Sequence, residues 1–255
     1  MRRLAFTLLA ISIACQAYGQ QWGDLSVRFV YDGEPPKPQE VQVDKDVAAC
    51  GKKLPDESLL VNAKDGGIAN VVMWLHATNS QDSPPIHPDL PRPAKEVVVT
   101  VRNCRIEPRV LLARPGQDLF SSNQDAVGHN LRGEFAEALG VIPAGRRELM
   151  AHLKKEDSGP IKIECFIHGW MHSWLFVRDS PYIAVSDASG KLAIPKLPTG
   201  KWTFRIWHER RGFIRQLVMG GATVELSRQG WSRKIKPGEN DLGKILIKPA
   251  QLERN

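Results

Sequence analysis

Short runs with a two-residue apolar period recur along this chain, and turn residues or loops separate them before they can lengthen. Leu25-Ser26-Val27-Arg28-Phe29-Val30-Tyr31, ended by Asp32-Gly33, is one such run, and Pro160-Ile161-Lys162-Ile163-Glu164-Cys165 is another. No long stretch carries a helical period. Val41 to Val43, Leu59 to Val61, Ile68 to Leu75, Glu96 to Val101, Val110 to Ala113, Asp118 to Ser122 and Trp174 to Val177 read as further strands. Residues 78–93 hold five prolines and read as an exposed loop, and 132–158 as loop with a short helix near Phe135 to Leu139. After residue 180, strands are expected at Tyr182 to Val185, Lys191 to Ile194, Trp202 to Trp207, Phe213 to Met219, Thr223 to Leu226 and Ile245 to Lys248. The fold class is therefore all-β. With 42% apolar residues the chain can fill real cores, and its length suits two packed sandwich units.

The first residues have a different logic. Met1-Arg2-Arg3, the apolar run Leu4 to Ala14 and the small-residue pattern Ala17-Tyr18-Gly19 have the form of a secretory signal peptide, so residues 1–20 are set apart from the fold. An uncleaved anchor is the alternative, without a stop-transfer run behind it. Cys15 lacks the leucine that a lipoprotein cleavage box carries three residues earlier. The expected location is periplasmic or secreted. Loss of Arg2 and Arg3 lowers the formal charge of +7 by two, to +5. The basic residues are scattered and no aromatic interleaving accompanies them, which speaks against nucleic acid and allows a surface that steers an acidic protein partner.

Beyond the signal three cysteines remain, Cys50, Cys104 and Cys165. An odd number in an oxidising compartment leaves one thiol over. A Cys50–Cys104 disulfide with Cys165 free for a metal is one reading, and Cys165 paired with either of the others is the alternative.

The free-thiol reading gains weight from the neighbours of Cys165. Cys165-Phe166-Ile167-His168-Gly169-Trp170-Met171 sets a thiolate, an imidazole and a thioether on the loop between two strands. With His129 from Gly128-His129-Asn130, the donors become two imidazoles, one thiolate and one thioether, a set suited to copper in both oxidation states. A structural zinc site would use paired cysteines or histidines, and methionine serves zinc poorly.

These motifs resemble the cupredoxins, and amicyanin in particular, over residues 97–178: a His-Asn pair precedes a CxxHxxM loop. The resemblance implies a Greek-key β-sandwich, with copper held by His129, Cys165, His168 and Met171 and the Asn130 backbone N–H bonded to the Cys165 sulfur. Gly169 stands where such loops often have proline, and His172 directly after Met171 is a possible competitor for metal. Leu192 to Glu209, with Leu197-Pro198-Thr199-Gly200-Lys201-Trp202 and Trp207-His208-Glu209, resembles the carboxypeptidase-regulatory or transthyretin-like β-module. The whole is similar to secreted bacterial proteins of the methylamine-utilisation type. The expected division is 1–20 signal, 21–178 cupredoxin-like domain with an N-terminal β extension, and 179–255 regulatory-like module.

The sequence offers no nucleophile elbow, no HExxH and no convincing carboxylate pair, so no catalysis is expected. The expected function is single-electron transfer between protein partners; a glycan- or protein-binding module and a copper store or donor are the competing readings. His76, His87 and His152 have no companions, His208 reads as structural, and Trp170 and Trp174 as packing or a partner patch.

Overall fold

The computed structural model describes residues 20–37, 39–77, 83–134 and 140–253. Residues 1–19, with the expected signal peptide and Cys15, and the expected helix near Phe135 lie outside them. The early elements are β1 (Trp22–Tyr31), β2 (Glu40–Gln42), the one-turn helix α1 (Val47–Cys50), β3 (Lys53–Pro55) and β4 (Val72–Leu75). Eight strands follow: β5 (Glu96–Arg102), β6 (Arg105–Glu107), β7 (Val110–Ala113), β8 (Asp118–Asn123), β9 (Leu131–Arg132), β10 (Arg147–His152), β11 (Ile161–Cys165) and β12 (His172–Val177). The last are β13 (Ile183–Val185), β14 (Lys191–Pro198), β15 (Gly200–His208), β16 (Gly212–Phe213), β17 (Gln216–Met219), β18 (Ala222–Glu225), β19 (Trp231–Ile235) and β20 (Gly238–Ile247). The architecture is all-β, as the period-two pattern predicts. Among the described residues no helix is long and apolar enough to cross a membrane.

Two sandwiches result. In the site sandwich the sheets β10-β8-β5-β6 and β7-β12-β11-β9 close over one core that includes Val99, Val101, Leu119, Leu131, Ile163 and Leu175. In the flanking sandwich β14-β1-β20-β17-β18 faces β13-β4-β15-β16, with β19 beside β15, around Leu25, Phe29, Ile194, Phe204, Ile206 and Ile245.

The expected grouping of 21–178 as one unit is corrected by the strand pairing. β1 runs antiparallel to β14 and parallel to β20, and β4 lies between β13 and β15, so both belong to the flanking sandwich. The reason is edge completion: β1 buries Leu25, Val27 and Phe29 on one face and supplies the ladder that β14 and β20 lack. Only β2, α1 and β3 stay with the site sandwich, where Val43 and Cys50 enter its core. A second correction concerns 132–158. Arg147–His152 is an edge strand on β8 that fully buries only Met150, so its apolar pattern is too thin to announce it.

β12 joins the two bodies. Leu175 and Val177 face the inner core, while Phe176 packs with Val72, Trp74, Val110 and Trp207 in the seam against the flanking sheet. Arg109 crosses the same seam to Glu209 with nitrogen–oxygen distances of 2.7 and 2.6 Å. His172 and the Trp174 indole N–H also reach Glu209 Oε2, at 3.1 and 3.3 Å.

Burial would raise the Glu209 carboxyl, but the hydrogen bonds from His172 and Arg109, with their charges, outweigh it and bring it down to about 2. Burial pushes His208 the other way for a base, down to about 4, as it sits 1% exposed with Nδ1 accepting the Arg210 backbone N–H. A histidine depressed in the fold binds its proton more readily when unfolded, so stability falls as pH drops from the unfolded value near 6.5 towards 4. That loss is about 3 kcal/mol. The Glu209 contribution is complete above the unfolded value near 4.5 and disappears as pH falls towards 2. Urea unfolding should therefore weaken from pH 6.5 to 5, with the slope flattened in His208→Gln. Glu209→Gln should cost about 3 kcal/mol at pH 7, because Arg109 is left buried without its counter-charge.

Candidate metal centre

Cys165 closes β11, and the turn that follows it folds back on itself before β12. The Cys165 N–H donates to the Met171 carbonyl at 3.1 Å and the Met171 N–H to the His168 carbonyl at 2.9 Å. His129 comes from the loop ahead of β9, where it exchanges backbone hydrogen bonds of 3.1 and 2.7 Å with Ile142. The buried Asn123 amide secures that loop, donating to the carbonyls of Val127 at 2.8 Å and Ile142 at 3.0 Å. The Phe166 N–H then donates to the Asn130 carbonyl at 2.9 Å, tying the histidine segment to the cysteine loop.

Three donor atoms converge as a result. His129 Nδ1 lies 3.9 Å and His168 Nδ1 3.7 Å from Cys165 Sγ, and the two nitrogens are 3.0 Å apart. Both histidines are 0% exposed, Cys165 3% and Met171 2%. Met171 packs in the same core cluster as Cys165. Cys50 and Cys104 are joined by a disulfide with Cα atoms 5.5 Å apart, and Cys165 is a free, buried thiol rather than a partner of either.

The outer ring nitrogens decide what the inner ones can do. His129 Nε2 is 3.0 Å from Asp125 Oδ2, and His168 Nε2 is 2.8 Å from Asp46 Oδ2. A carboxylate only accepts, so each Nε2 donates to its aspartate, and in the neutral ring that tautomer leaves Nδ1 as the lone-pair nitrogen. Burial, helped by the His168 ring, holds the His129 imidazole below its ordinary value despite Asp125, which keeps the ring neutral at pH 7. The two Nδ1 atoms face each other at 3.0 Å, and in the neutral rings their lone pairs repel until a cation, a proton or a metal ion, lies between them. The point equidistant from the two nitrogens and the sulfur is about 2.1 Å from each, the bond length of a first-row metal to nitrogen or thiolate. The residues therefore fit a metal ion. A second grouping, Cys104 with Asp125 and His129, has its sulfur in the disulfide and offers no thiolate.

The neighbouring side chains have other occupations. His172 points to the Arg109–Glu209 pair and away from the donor cluster. Trp170 donates its indole N–H to the Cys104 carbonyl at 3.1 Å, with its ring 5.1 Å from that of His168. Trp174 stacks edge-on with Trp207 in the seam between the sandwiches. A Cβ at Gly169 would meet nothing within 4 Å. Asp46, Asp125 and Asn123 are the supporting residues that motif spacing did not single out. Asp125 left a trace, four residues before His129; Asp46 left none.

No family profile matches the sequence, and no curated protein aligns with it. Solved structures similar to part of the chain include a copper-containing nitrite reductase from Thermus scotoductus SA-01, at 17% identity and TM-score 0.30 over 39% of this chain and 26% of that one. A purple cupredoxin from Nitrosopumilus maritimus is 18% identical with TM-score 0.29, over 32% of this chain and 98% of its own. An oxidised P94A mutant of amicyanin is 19% identical with TM-score 0.28, over 33% and 83%. The chain spans about a quarter of the nitrite reductase. Likenesses this slight carry no argument, and the site rests on its own geometry.

Asn123 provides a direct check on how the His129 loop is held. Asn123→Ala removes the side-chain donor to the Val127 carbonyl and one of the two donors to the Ile142 carbonyl, and should lower the stability of the metal-free protein by about 1–3 kcal/mol in thermal or urea unfolding.

Proposed function

We propose that the chain is an exported mononuclear copper protein of the cupredoxin type that carries single electrons between protein partners and catalyses no reaction by itself. The observation that carries this reading is the pair of inward-facing imidazole Nδ1 atoms 3.0 Å apart, closed into a triangle by a free thiol. His129, Cys165 and His168 would hold the ion, and Met171 would be its weak fourth ligand. Bound there, copper supplies a one-electron couple between its monovalent and divalent states.

The chain's own part is to keep the donors still. Soft sulfur suits the reduced ion and imidazole the oxidised one, so a rigid mixed set serves both with little rearrangement. Strand ends, the closed turn and the two carboxylates supply that rigidity, and the Asn130 N–H bond to the Cys165 sulfur belongs to the same reading. The burial of all the donors favours a carrier over a copper donor, since handing on the ion requires an incoming ligand to reach it. A disulfide beside a free thiol suits an oxidising compartment, in keeping with the signal-like N-terminus. The flanking sandwich is read as the regulatory-like module and acts as a buttress on β12.

The partner would dock on the exposed side chain that follows Cys165. Phe166, next to Cys165, is 57% exposed, and the Arg132 guanidinium lies 4.2 Å from the centre of its ring. An apolar tip with a basic neighbour suits an acidic redox protein.

Protein loaded with Cu(II) should show an intense thiolate-to-copper absorption in the visible, lost in Cys165→Ser. A colourless protein with full copper occupancy would contradict the reading. Phe166→Ala should leave that spectrum unchanged and slow electron exchange with the partner about tenfold.

A further inference from the structure

The segment 40–55 is folded over the donor cluster as a small cap. β2 and β3 pair antiparallel, and α1 lies between them. Asp46 occupies the N-cap position of α1, where an aspartate side chain ordinarily accepts a hydrogen bond from the helix's first N–H groups. It makes no such bond here. Its backbone is in the left-handed region at φ 50°, and its carboxylate is turned to His168 Nε2 at 2.8 Å. A non-glycine residue keeps that backbone conformation only where the surroundings impose it. The Asp46 side chain is 42% exposed while His168 is 0% exposed, so the carboxylate stands between the imidazole and solvent.

The anchoring of the cap points to the same place. Four residues after Asp46, Cys50 is bonded to Cys104. The Cys104 N–H donates to Asp125 Oδ2 at 2.9 Å, and that oxygen also holds His129 Nε2. The disulfide and this hydrogen bond together link the segment of Asp46 to the carboxylate of Asp125.

We propose that segment 40–55 is a disulfide-anchored cap on the metal centre and that Asp46 is its positioning residue, fixing the His168 tautomer, shielding its outer edge and favouring the divalent ion. The inference rests on the copper reading above. A carboxylate on the distal N–H strengthens the imidazole as a donor, and its negative charge stabilises the higher-charged ion more than the lower. Removing it should weaken Cu(II) binding and leave Cu(I) binding nearly unchanged.

The test uses the full chain in two arms. In the first, Asp46→Asn is loaded with copper, and Cu(II) affinity is measured against a chelator and the reduction potential by voltammetry. A loss of about 10–100-fold in Cu(II) affinity is expected. A tenfold loss confined to Cu(II) raises a one-electron potential by about 59 mV. Asp46→Glu should recover part of the change. In the second arm, metal-free protein is treated with iodoacetamide, and modification of Cys165 is followed by peptide mass spectrometry. Asp46→Ala and the Cys50→Ser, Cys104→Ser double variant should each speed it about tenfold or more. Asp46→Ala retains the disulfide and carries the readout if the double variant does not fold. Folded Asp46→Asn with wild-type potential and Cu(II) affinity would overturn the positioning role, and wild-type protection of Cys165 in folded Asp46→Ala would overturn the cap. Failure of the copper reading looks different: the wild-type protein then shows no thiolate-to-copper band, while the alkylation arm still reports on the cap.

Discussion

Two imidazoles are held with their Nδ1 atoms 3.0 Å apart, and the contacts to their outer nitrogens keep that close approach. Left to themselves the rings would rotate, or one would take up a proton to bridge the gap. Asp125 and Asp46 hold the rings from outside by each accepting an Nε2–H, and burial, against the pull of Asp125, favours the neutral His129 ring. A set of lone pairs and a thiol stabilised in this way has its natural complement in a cation. The energy that orders the site comes from the sandwich core, whose apolar side chains are buried whether or not a metal is bound.

The two bodies of the protein contribute unequally. The site sandwich supplies the donors, and the flanking sandwich fixes the strand on which their loop ends. β12 can act as the hinge between cores because its faces are both apolar: Leu175 looks inward and Phe176 outward. The Arg109–Glu209 pair lies in that seam and engages His172, the residue directly after Met171. A nitrogen that could have competed for metal is thereby given a structural partner instead.

Much of this was legible in the sequence, and the boundary of legibility has a physical form. Cys165, His168 and Met171 lie on one short turn between two strands, so the sequence alone keeps their backbones close. His129 was readable from its Gly-His-Asn setting and the strand that follows. Asp46 was not, because 122 residues separate it from His168 and only the β2–β3 pairing and the disulfide bring them together. The same limit explains β1. Its alternation tells which face is buried but not which sheet edge accepts it, and that edge lies between β14 and β20, far along the chain. β10 was missed for a third reason: an edge strand with one fully buried residue hardly alternates.

The arrangement of donors around the ion itself is the most direct measure of this centre. X-ray absorption at the copper edge of the loaded protein should resolve one sulfur and two imidazole nitrogens, at roughly 2.0–2.3 Å. A coordination shell of nitrogen and oxygen alone, with no sulfur, would contradict the assignment of His129, Cys165 and His168 as one site.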